Sequence, residues 1–253
     1  MISVSIIGSG NVALHLITAI SNSTDLELVQ VYARQKSDDL KDILPSKIVA
    51  NLSDLIPADL YIIAVSDNAI ASLSNQLPFE NRLVAHTSGS ISIDDLNSKN
   101  KKAVFYPLQT FTKNKEINFK TVPVCIEAKT ESDYEIINKI AHFLSKEVYK
   151  IDSNQRKALH VAAVFANNFV NHLYLIGNEV CKEHDINFNI LKPLILETSN
   201  KILKLSPIEA QTGPAKRGDT ETLNSHIDFL TNKNQIEIYK LLTKSIIDHG
   251  KKL

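Results

Sequence analysis

The feature that most constrains the fold of this chain is a glycine-containing turn near its N-terminus, at residues 8–13. The turn has the pattern G-x-G-x-x-A, with Gly8, Gly10 and Ala13 at the small-residue positions, between an apolar run and an amphipathic stretch. The first glycine permits a tight turn, the second lets the backbone approach a pyrophosphate, and the small third residue lets helix and strand pack closely. Free N–H groups at the start of the helix then face the phosphates. The residues expected to contact a dinucleotide are Gly8, Ser9, Gly10, Asn11 and Val12.

Glycine is scarce in the rest of the chain. There are seven glycines in 253 residues, whereas average usage of about 7% would give about 18. Such a chain is expected to keep glycine where the backbone geometry requires it. Three of the others, Gly89, Gly213 and Gly218, lie in loops between predicted elements. Those loops are therefore candidate functional positions.

Charge and cysteine content exclude several classes of protein. The 28 basic and 28 acidic side chains cancel, which argues against a general binder of nucleic acid or of a membrane surface. Cys125 and Cys181 show neither metal-ligand spacing nor a disulfide framework. No signal-peptide pattern and no apolar run of membrane-spanning length is found. We therefore expect a cytoplasmic protein with a small-molecule substrate, no metal, no nucleic acid and no membrane.

The order of apolar patterns predicts the fold class. Short apolar runs alternate with amphipathic stretches up to residue 152, which is typical of βα units and a parallel sheet. Beyond it, long helical patterns replace the β-type runs. We predict an α/β chain, with a Rossmann-type, doubly wound, mostly parallel sheet at 1–152 and an all-helical domain at 153–253. The predicted strands are 3–7, 27–33, 47–50, 60–65, 83–86, 103–106, 122–127 and 147–151, and the predicted helices are 11–21, 68–76, 132–145, 154–184, 187–204, 219–230 and 234–249.

The residues after the second strand bear on the choice of cofactor. In a site for NAD, an acidic residue usually ends this strand and binds the ribose hydroxyls. Here the strand is followed by Arg34, Lys36 and Ser37, and no acid precedes Asp38. A guanidinium pairs well with phosphate oxygens, so these three residues could bind a 2′-phosphate. The pattern favours NADP over NAD, with an ordinary basic surface turn as the alternative.

Polar loops follow the fourth, fifth and sixth predicted strands. Ligands of open α/β sheets bind at the carboxyl ends of the strands, so these loops are expected near the nicotinamide and the substrate. For each residue, a cap or turn role explains the sequence equally well. The residues assigned to the cofactor are Val65, Ser66, Asp67, Thr87 and Ser88, and Gln109 is assigned to the substrate.

The predicted helix at 154–184 carries a polar stripe on a largely apolar surface. At 100° per residue, Arg156, His160 and Asn167 fall with Asn171 in a stripe about 60° wide, and Asn168 lies roughly 60° further round. His160 has a side-chain pKa near neutrality by residue type, which makes it the candidate proton donor. Asn167 and Asn168 would then position the substrate. The alternative is a solvated strip or a buried structural network.

A basic, glycine-containing segment joins two predicted helices at 211–219. It contains the hydroxyl of Thr212, two cations and Asp219 as a helix cap. A guanidinium can bind an anionic group through two hydrogen bonds, so Thr212 and Arg217 are assigned to the anionic end of the substrate. A plain turn between helices is the alternative.

These segments occur in the same order in one known family. The chain resembles two-domain proteins that have a Rossmann-like N-terminal domain and a C-terminal domain of unknown function 2520, and is more distantly similar to the pyrroline-5-carboxylate reductase and 6-phosphogluconate dehydrogenase superfamily. The most specific elements are T-G-P at 212–214 and R-G-D at 217–219, followed by P-L-Q-T-F at 107–111. The remaining shared segments are 8–13, 64–67, 86–90 and 166–169.

The resemblance implies an NADP-dependent oxidoreductase whose helical domain forms a homodimer and closes the site over the nicotinamide. Two departures bear on the chemistry. Lys157 is followed one turn later by Val161, where the hydroxyacid dehydrogenases of the superfamily have Asn, which argues against hydroxyacid oxidation. Tyr106 stands where many relatives have His, which weakens a proton-transfer role there.

Three functional hypotheses follow. In the first, NADPH reduces a C=O or C=N group of a small anionic metabolite; the cofactor supplies the hydride and the protein orients it and donates a proton. In the second, the chain binds NADP(H) as a sensor or interaction module without turnover, which the missing Lys/Asn pair favours. In the third, the chain is a purely structural dimer that binds no nucleotide, which a cofactor titration without binding would show.

Overall fold

The computed structural model describes residues 1–34, 40, 45–113 and 115–250. The chain divides into two compact units, Met1–Val164 and Phe165–Leu253. The predicted cofactor residues Lys36 and Ser37 lie outside the described residues. The predicted domain boundary at residue 152 stays a prediction.

The described part of the first unit is built on one sheet of eight strands. The strands are β1 (Ile2–Ile7), β2 (Leu26–Tyr32), β3 (Ile48–Val49), β4 (Leu60–Ile63), β5 (Leu83–His86), β6 (Lys101–Pro107), β7 (Val124–Ala128) and β8 (Val148–Lys150). Their order is β3-β2-β1-β4-β5-β6-β7-β8, and neighbours pair in parallel except β6 and β7. The order across β3 to β6 is that of a doubly wound dinucleotide-binding sheet. The predicted Rossmann-type, mostly parallel sheet is confirmed.

Helices cover both faces of this sheet. The α-helices of the first unit are α1 (Asn11–Ser21), α2 (Asp67–Asn75), α3 (Glu131–Leu144) and α4 (Ser153–Ala163). One apolar cluster joins Leu16 of α1 and Ile140 of α3 to Val4 of β1. A second cluster joins Ile70 of α2 to Ile7 at the end of β1. Side chains of β1 are therefore buried on both faces, as in a central parallel strand.

The described residues of the second unit form helices joined by turns and contain no strand, so the predicted all-helical C-terminal part is confirmed. Its α-helices are α5 (Val170–Glu183), α6 (Lys192–Ile202), α7 (Pro207–Ala210), α8 (Pro214–Arg217), α9 (Thr220–Phe229) and α10 (Lys233–Gly250), and a 3₁₀ turn lies at Phe188–Leu191. In the described residues, no helix has both the length and the apolar character needed to cross a membrane.

The single helix predicted at 154–184 is wrong in detail. A π-helix at Val164–Phe169 separates α4 from α5. Its hydrogen bonds join residues i and i+5, so each turn contains more residues than in an α-helix. The 100° spacing used for the polar stripe therefore does not apply across this segment. The division between the two units also falls within it.

A buried arginine holds α4 against the sheet. Arg156 is 1% exposed, and its guanidinium lies 2.5 Å from Oε2 of Glu127 on β7. Its Nε donates to the carbonyl of Ser88 at 3.1 Å, and a terminal nitrogen donates to Ile91 O and Ser153 Oγ. A buried charge without partners is costly. This network therefore fixes the start of α4 relative to β7 and the loop at 88–91.

Removal of the carboxylate tests the contribution of this network. Glu127→Ala leaves Arg156 buried without its counter-charge, and we expect the free energy of unfolding to fall by about 3–5 kcal/mol. The measurement is urea unfolding at one fixed protein concentration. The control is Glu131→Ala, which removes an exposed ion pair with Lys150 and should cost less than about 1 kcal/mol. Equal losses in the two variants would contradict the assigned role.

Candidate active site

The topology brings four loops to one edge of the sheet. β1, β4, β5 and β6 are successive parallel neighbours, so their carboxyl ends lie together. The loops that follow them are the turn at 8–10 and the segments 64–66, 87–92 and 108–112. The strand order reverses between β1 and β4, and ligands of such sheets bind at the reversal.

Gly8 is required by the protein's own backbone. Its φ of +137° lies in the region that favours glycine. A Cβ atom here would lie 2.2 Å from the carbonyl oxygen of Ala64, just after β4. The close approach of the first turn to the end of β4 therefore depends on the absence of a side chain.

Gly10 is different, because the protein leaves space around it. A Cβ atom there would meet no atom of the described residues within 4 Å, and its φ of −79° is ordinary. Gly10 is the N-cap of α1, and in the described structure this end has no side-chain cap and no acidic residue in its first turn. Its N–H groups are thus placed for an anion. The geometry fits the dinucleotide phosphates predicted from the sequence.

The segment after β6 is tied to the first turn of α1. Asn11 Nδ2 donates to the carbonyl of Phe111 at 3.1 Å. His15 Nε2 lies 3.1 Å from the carbonyl of Thr112, and its ring centroid is 5.0 Å from that of Phe111. The side chain of Asn11 is thus used within the protein, which leaves its backbone N–H for the predicted cofactor contact. Ser9 and Val12 are partly buried beside it.

The loop after β4 presents the start of α2 at the same edge. Ala64 N donates to the carbonyl of Ile7 at 2.8 Å, which ties the loop to β1. Val65 is partly buried, while Ser66 and Asp67 are exposed. Ser66 is the N-cap of α2, but within the described residues its hydroxyl makes no capping hydrogen bond. That hydroxyl and the first N–H groups of α2 fit the predicted cofactor contacts.

The hydroxyls after β5 make local contacts. Ser88 Oγ accepts from the backbone N–H groups of Ser90 and Ile91, each at 3.0 Å. The Thr87 hydroxyl is directed at the carbonyl of Ile63, at 3.5 Å. These contacts fit the turn role that the sequence left open, and the cofactor role of Thr87 and Ser88 stays a prediction.

His86, at the end of β5, is fully buried and neutral. Its Nδ1 accepts from the N–H of Ser88 at 3.1 Å, so Nε2 carries the ring proton. Burial, together with the nearby charge of Arg156, lowers the pKa of His86 to about 3. This histidine is therefore a fixed neutral group at physiological pH and not a proton donor.

Tyr106 and His160 form a hydrogen-bonded pair where β6 ends. The Tyr106 hydroxyl lies 3.0 Å from His160 Nδ1, and the rings meet edge to face at 6.0 Å between centroids. Gly89 makes room for both, because a Cβ there would lie 2.5 Å from His160 Nδ1 and 2.9 Å from Tyr106 Cζ. Tyr106 is buried and His160 is partly buried. The predicted proton donor is therefore held at the same sheet edge as the glycine turn.

The sequence interpretation missed this contact. In the sequence Tyr106 stands out only as a departure from a histidine in relatives, and no periodicity connects it to His160, 54 residues later. The signal that could have found the pair is Gly89, a rare glycine whose position requires close packing against another element.

The remaining predicted residues are exposed. In the first unit, Arg34 lies in a bend after β2, and Gln109 Oε1 accepts from the N–H of Thr110 at 2.8 Å. The second unit contains the others: Asn167 and Asn168 in the π-helix, Thr212 before α8 and Arg217 at its end. The π-helix and α8 thus carry exposed hydrogen-bond donors, as a substrate role would require. Within the described residues, no group of three or more His, Cys, Asp or Glu side chains could hold a metal ion.

Comparisons with known proteins agree with this geometry. Residues 122–246 match the family described as a domain of unknown function (DUF2520). The chain is 36% identical to the putative NADP oxidoreductase from Bacteroides fragilis, over 98% of each chain, with a TM-score of 0.88. A search of curated protein sequences gave no match.

Two more distant structures share the fold. Pyrroline carboxylate reductase from Plasmodium falciparum, solved with NADP bound, is 14% identical over 97% of this chain and 98% of that one, with a TM-score of 0.63. The reductive aminase from Aspergillus terreus, solved with NADPH and ethyl levulinate, is 11% identical over 98% of this chain and 94% of that one, with a TM-score of 0.69. At such identities the likeness concerns the fold alone.

The two glycines of the turn should respond differently to alanine. Gly10→Ala should leave the thermal midpoint unchanged and weaken NADPH binding at least about tenfold, because the methyl group enters the space reserved for phosphate. Gly8→Ala should lower the free energy of unfolding by about 1–3 kcal/mol from the strained φ alone. NADPH fluorescence titration and thermal melts measure the two effects. Wild-type NADPH affinity in Gly10→Ala would show that no phosphate approaches this position.

Proposed function

The chain belongs to the Rossmann-like NADP oxidoreductase family that carries a C-terminal domain of unknown function (DUF2520), and from that premise we propose that it transfers a hydride between NADP(H) and a C=O or C=N group of a small, anionic metabolite. NADP, when bound, supplies or accepts the hydride. The protein has to bind the dinucleotide, orient the substrate and provide the proton that accompanies reduction.

Binding of NADP is supported by the turn at 8–10 and by the residue that follows β2. The uncapped start of α1 and the space at Gly10 fit the pyrophosphate. Arg34 is exposed beyond the end of β2, where a guanidinium can pair with the 2′-phosphate that distinguishes NADP from NAD. Lys36 and Ser37 complete the proposed phosphate contacts from outside the described residues.

The observation that carries the proposed chemistry is the Tyr106–His160 pair. It places an imidazole, the side chain best suited to proton transfer near neutral pH, at the sheet edge that holds the glycine turn. We assign His160 as the proton donor: its protonated ring gives a proton to the substrate oxygen or nitrogen as the adjacent carbon gains the hydride. Tyr106 and Gly89 hold the ring for that transfer.

Substrate contacts are proposed for five residues. Amide side chains can hydrogen-bond a carbonyl or carboxylate, and a guanidinium can pair with a carboxylate or phosphate through two bonds. Each of the five is exposed, which a substrate contact requires. The residues are Asn167, Asn168, Gln109, Thr212 and Arg217.

A homodimer formed through the second unit is also proposed. Of the second unit's described apolar residues, Cys181, Ala215 and Leu223 are buried. Side chains such as Leu194 and Leu196 of α6 are 63% and 62% exposed. Large exposed apolar surfaces on a helical unit mark a protein interface. A second copy fits because its surface is equally apolar and its net charge is zero, so the copies do not repel each other.

A hollow in the second unit supports the same proposal. It has a volume of about 240 Å³ and lies between α8, α9 and α10, with Leu223, Leu242 and Ile246 in its wall. Leu242 is 41% exposed. A packed core normally leaves few such voids, and an apolar side chain of the partner could fill this one.

We also propose a cytoplasmic location, where the free thiols of Cys125 and Cys181 stay reduced.

The dimer is tested by sedimentation velocity. The wild-type protein should sediment at twice the chain mass, and Leu194→Asp should shift it to monomer, because a carboxylate cannot be buried unpaired. The matched control is Ile56→Asp, which replaces an apolar side chain of the first unit that is 50% exposed. This variant should remain dimeric. A monomeric wild-type protein would exclude the proposed assembly.

Turnover is tested with a panel of 2-oxo acids, aldehydes and cyclic imines, followed by loss of NADPH absorbance. His160→Ala should lower kcat at least about 100-fold and leave the NADPH dissociation constant unchanged, because only the proton donor is removed. The control is His142→Ala, an exposed histidine of α3, which should turn over at the wild-type rate. Undiminished turnover in His160→Ala would exclude it as the donor. Tight NADPH binding without reduction of any compound would favour the sensor function.

A further inference from the structure

The hydrogen bond between Tyr106 and His160 bears on which ring nitrogen of His160 carries the proton, as well as on the position of the ring. Among the described residues, His160 Nδ1 is the acceptor within reach of the Tyr106 hydroxyl, at 3.0 Å. Tyr106 is 8% exposed, so most of its side chain is removed from water. A buried hydroxyl without an acceptor costs roughly 1–3 kcal/mol. Donation from the hydroxyl to Nδ1 is therefore favoured over the reverse direction.

The direction of this bond fixes the tautomer of the imidazole. A neutral imidazole has one N–H and one acceptor nitrogen. If Nδ1 accepts from Tyr106, the ring proton must be on Nε2. When the ring is protonated, Nδ1–H can turn the bond round and donate to the phenol oxygen, which has free lone pairs. In both states Nε2 carries a proton and is the nitrogen that Tyr106 does not bind. When the protonated ring gives the Nε2 proton to the substrate, the neutral ring keeps Nδ1–H, which still donates to the phenol oxygen, and Nε2 then takes up a proton from water.

The charge state of Tyr106 supports the same direction. Burial is the main cause that raises the pKa of Tyr106 to about 12; the nearby Cys125 and Asp67 act in the same direction and Arg156 opposes them. The phenol therefore keeps its proton over the whole physiological range of pH.

The surroundings leave the ring little freedom to move away. Gly89 packs against it so closely that a Cβ atom would overlap Nδ1 at 2.5 Å. The loop that carries Gly89 is itself held on both sides, because Arg156 binds the carbonyls of Ser88 and Ile91. Arg156 also lies one turn before His160 on α4. The phenol and the clamped loop thus hold the imidazole from two directions.

We propose that Tyr106 is a positioning residue for His160: it binds Nδ1, selects the Nε2–H tautomer of the neutral resting ring, and keeps Nε2 as the nitrogen that meets the substrate and gives up the proton. The proposal rests on the assignment of His160 as proton donor in the proposed function. It gives Tyr106 a role through His160 and not through contact with the substrate.

Turnover of three variants tests whether Tyr106 acts through His160. The reaction is that of the panel compound which the wild-type protein reduces fastest. Tyr106→Phe should lower kcat about tenfold with little change in KM or in NADPH affinity, a smaller loss than for His160→Ala. The double variant should equal His160→Ala, because non-additive effects show that two residues act together. Wild-type turnover in Tyr106→Phe, or a further loss in the double variant, would overturn the proposal.

The matched control removes a phenol hydroxyl elsewhere. Tyr149 lies on β8, 48% exposed, with its hydroxyl on Glu147. Tyr149→Phe should keep wild-type kcat. A loss equal to that of Tyr106→Phe would show that the effect belongs to hydroxyl removal in general and would overturn the proposal.

Nitrogen NMR of ¹⁵N-histidine-labelled protein tests the tautomer without any turnover. The chain has eight histidines. The signals of the His160 ring nitrogens are identified as those missing from the spectrum of His160→Ala. At a pH where the ring is neutral, wild-type Nδ1 should resonate as an unprotonated nitrogen and Nε2 as a protonated one. Tyr106→Phe should shift both signals towards a tautomer mixture, and Tyr149→Phe should leave them unchanged.

The two measurements separate failure of the proposal from failure of the proposed function. A protonated Nδ1 in the wild-type protein, or signals unmoved in Tyr106→Phe, would overturn the positioning role even if the enzyme turns over. If no panel compound is reduced, the proposed function fails, and the NMR spectra still decide whether Tyr106 sets the tautomer. A protonated Nδ1 on the neutral wild-type ring would overturn the proposal even if Tyr106→Phe failed to fold.

Discussion

The buried guanidinium of Arg156 is the interaction on which the candidate site depends. It joins three parts of the first unit, since its partners are Glu127 on β7, the loop at 88–91 and Ser153 at the start of α4. Because the buried charge of Arg156 is stable only with these partners, it fixes their positions relative to one another. His160 lies one turn further along the same helix and faces Gly89 of the same loop. The position of the proposed proton donor therefore depends on an ion pair within the first unit whose arginine is buried.

The two glycines of the first turn show how structural and functional constraints differ within one motif. At Gly8 the neighbouring carbonyl of Ala64 and the positive φ exclude a side chain, so the protein itself explains the residue. At Gly10 the described protein gives no reason for a glycine, because the space around it is open and its φ is one that any residue adopts. A residue that the fold does not require is better evidence for a ligand than one that it does.

Much of the fold could be predicted from the sequence, because local patterns specify it. The bounds of α1 agree with the prediction at both ends, since a glycine turn precedes the helix and its apolar spacing is regular. The π-helix at Val164–Phe169 could not be predicted from period 3.6, which assumes an unbroken α-helix. Contacts between distant residues were also out of reach. The sequence predicts only that Arg156 is a polar residue on a helix, whereas the fold shows its guanidinium buried beside Glu127.

His86 has a consequence for the stability of the whole first unit. Its pKa is about 3 in the folded protein, against an ordinary value of 6.5. Between these values the unfolded chain binds a proton that the folded chain does not, so the stability present above pH 6.5 is lost as the pH falls towards 3. The difference corresponds to about 4–5 kcal/mol, a large share of the usual stability of a domain. The buried imidazole of His86, at the end of β5, thus makes the stability of the first unit depend on pH. Protonation of this ring favours unfolding of the sheet in an acidic environment.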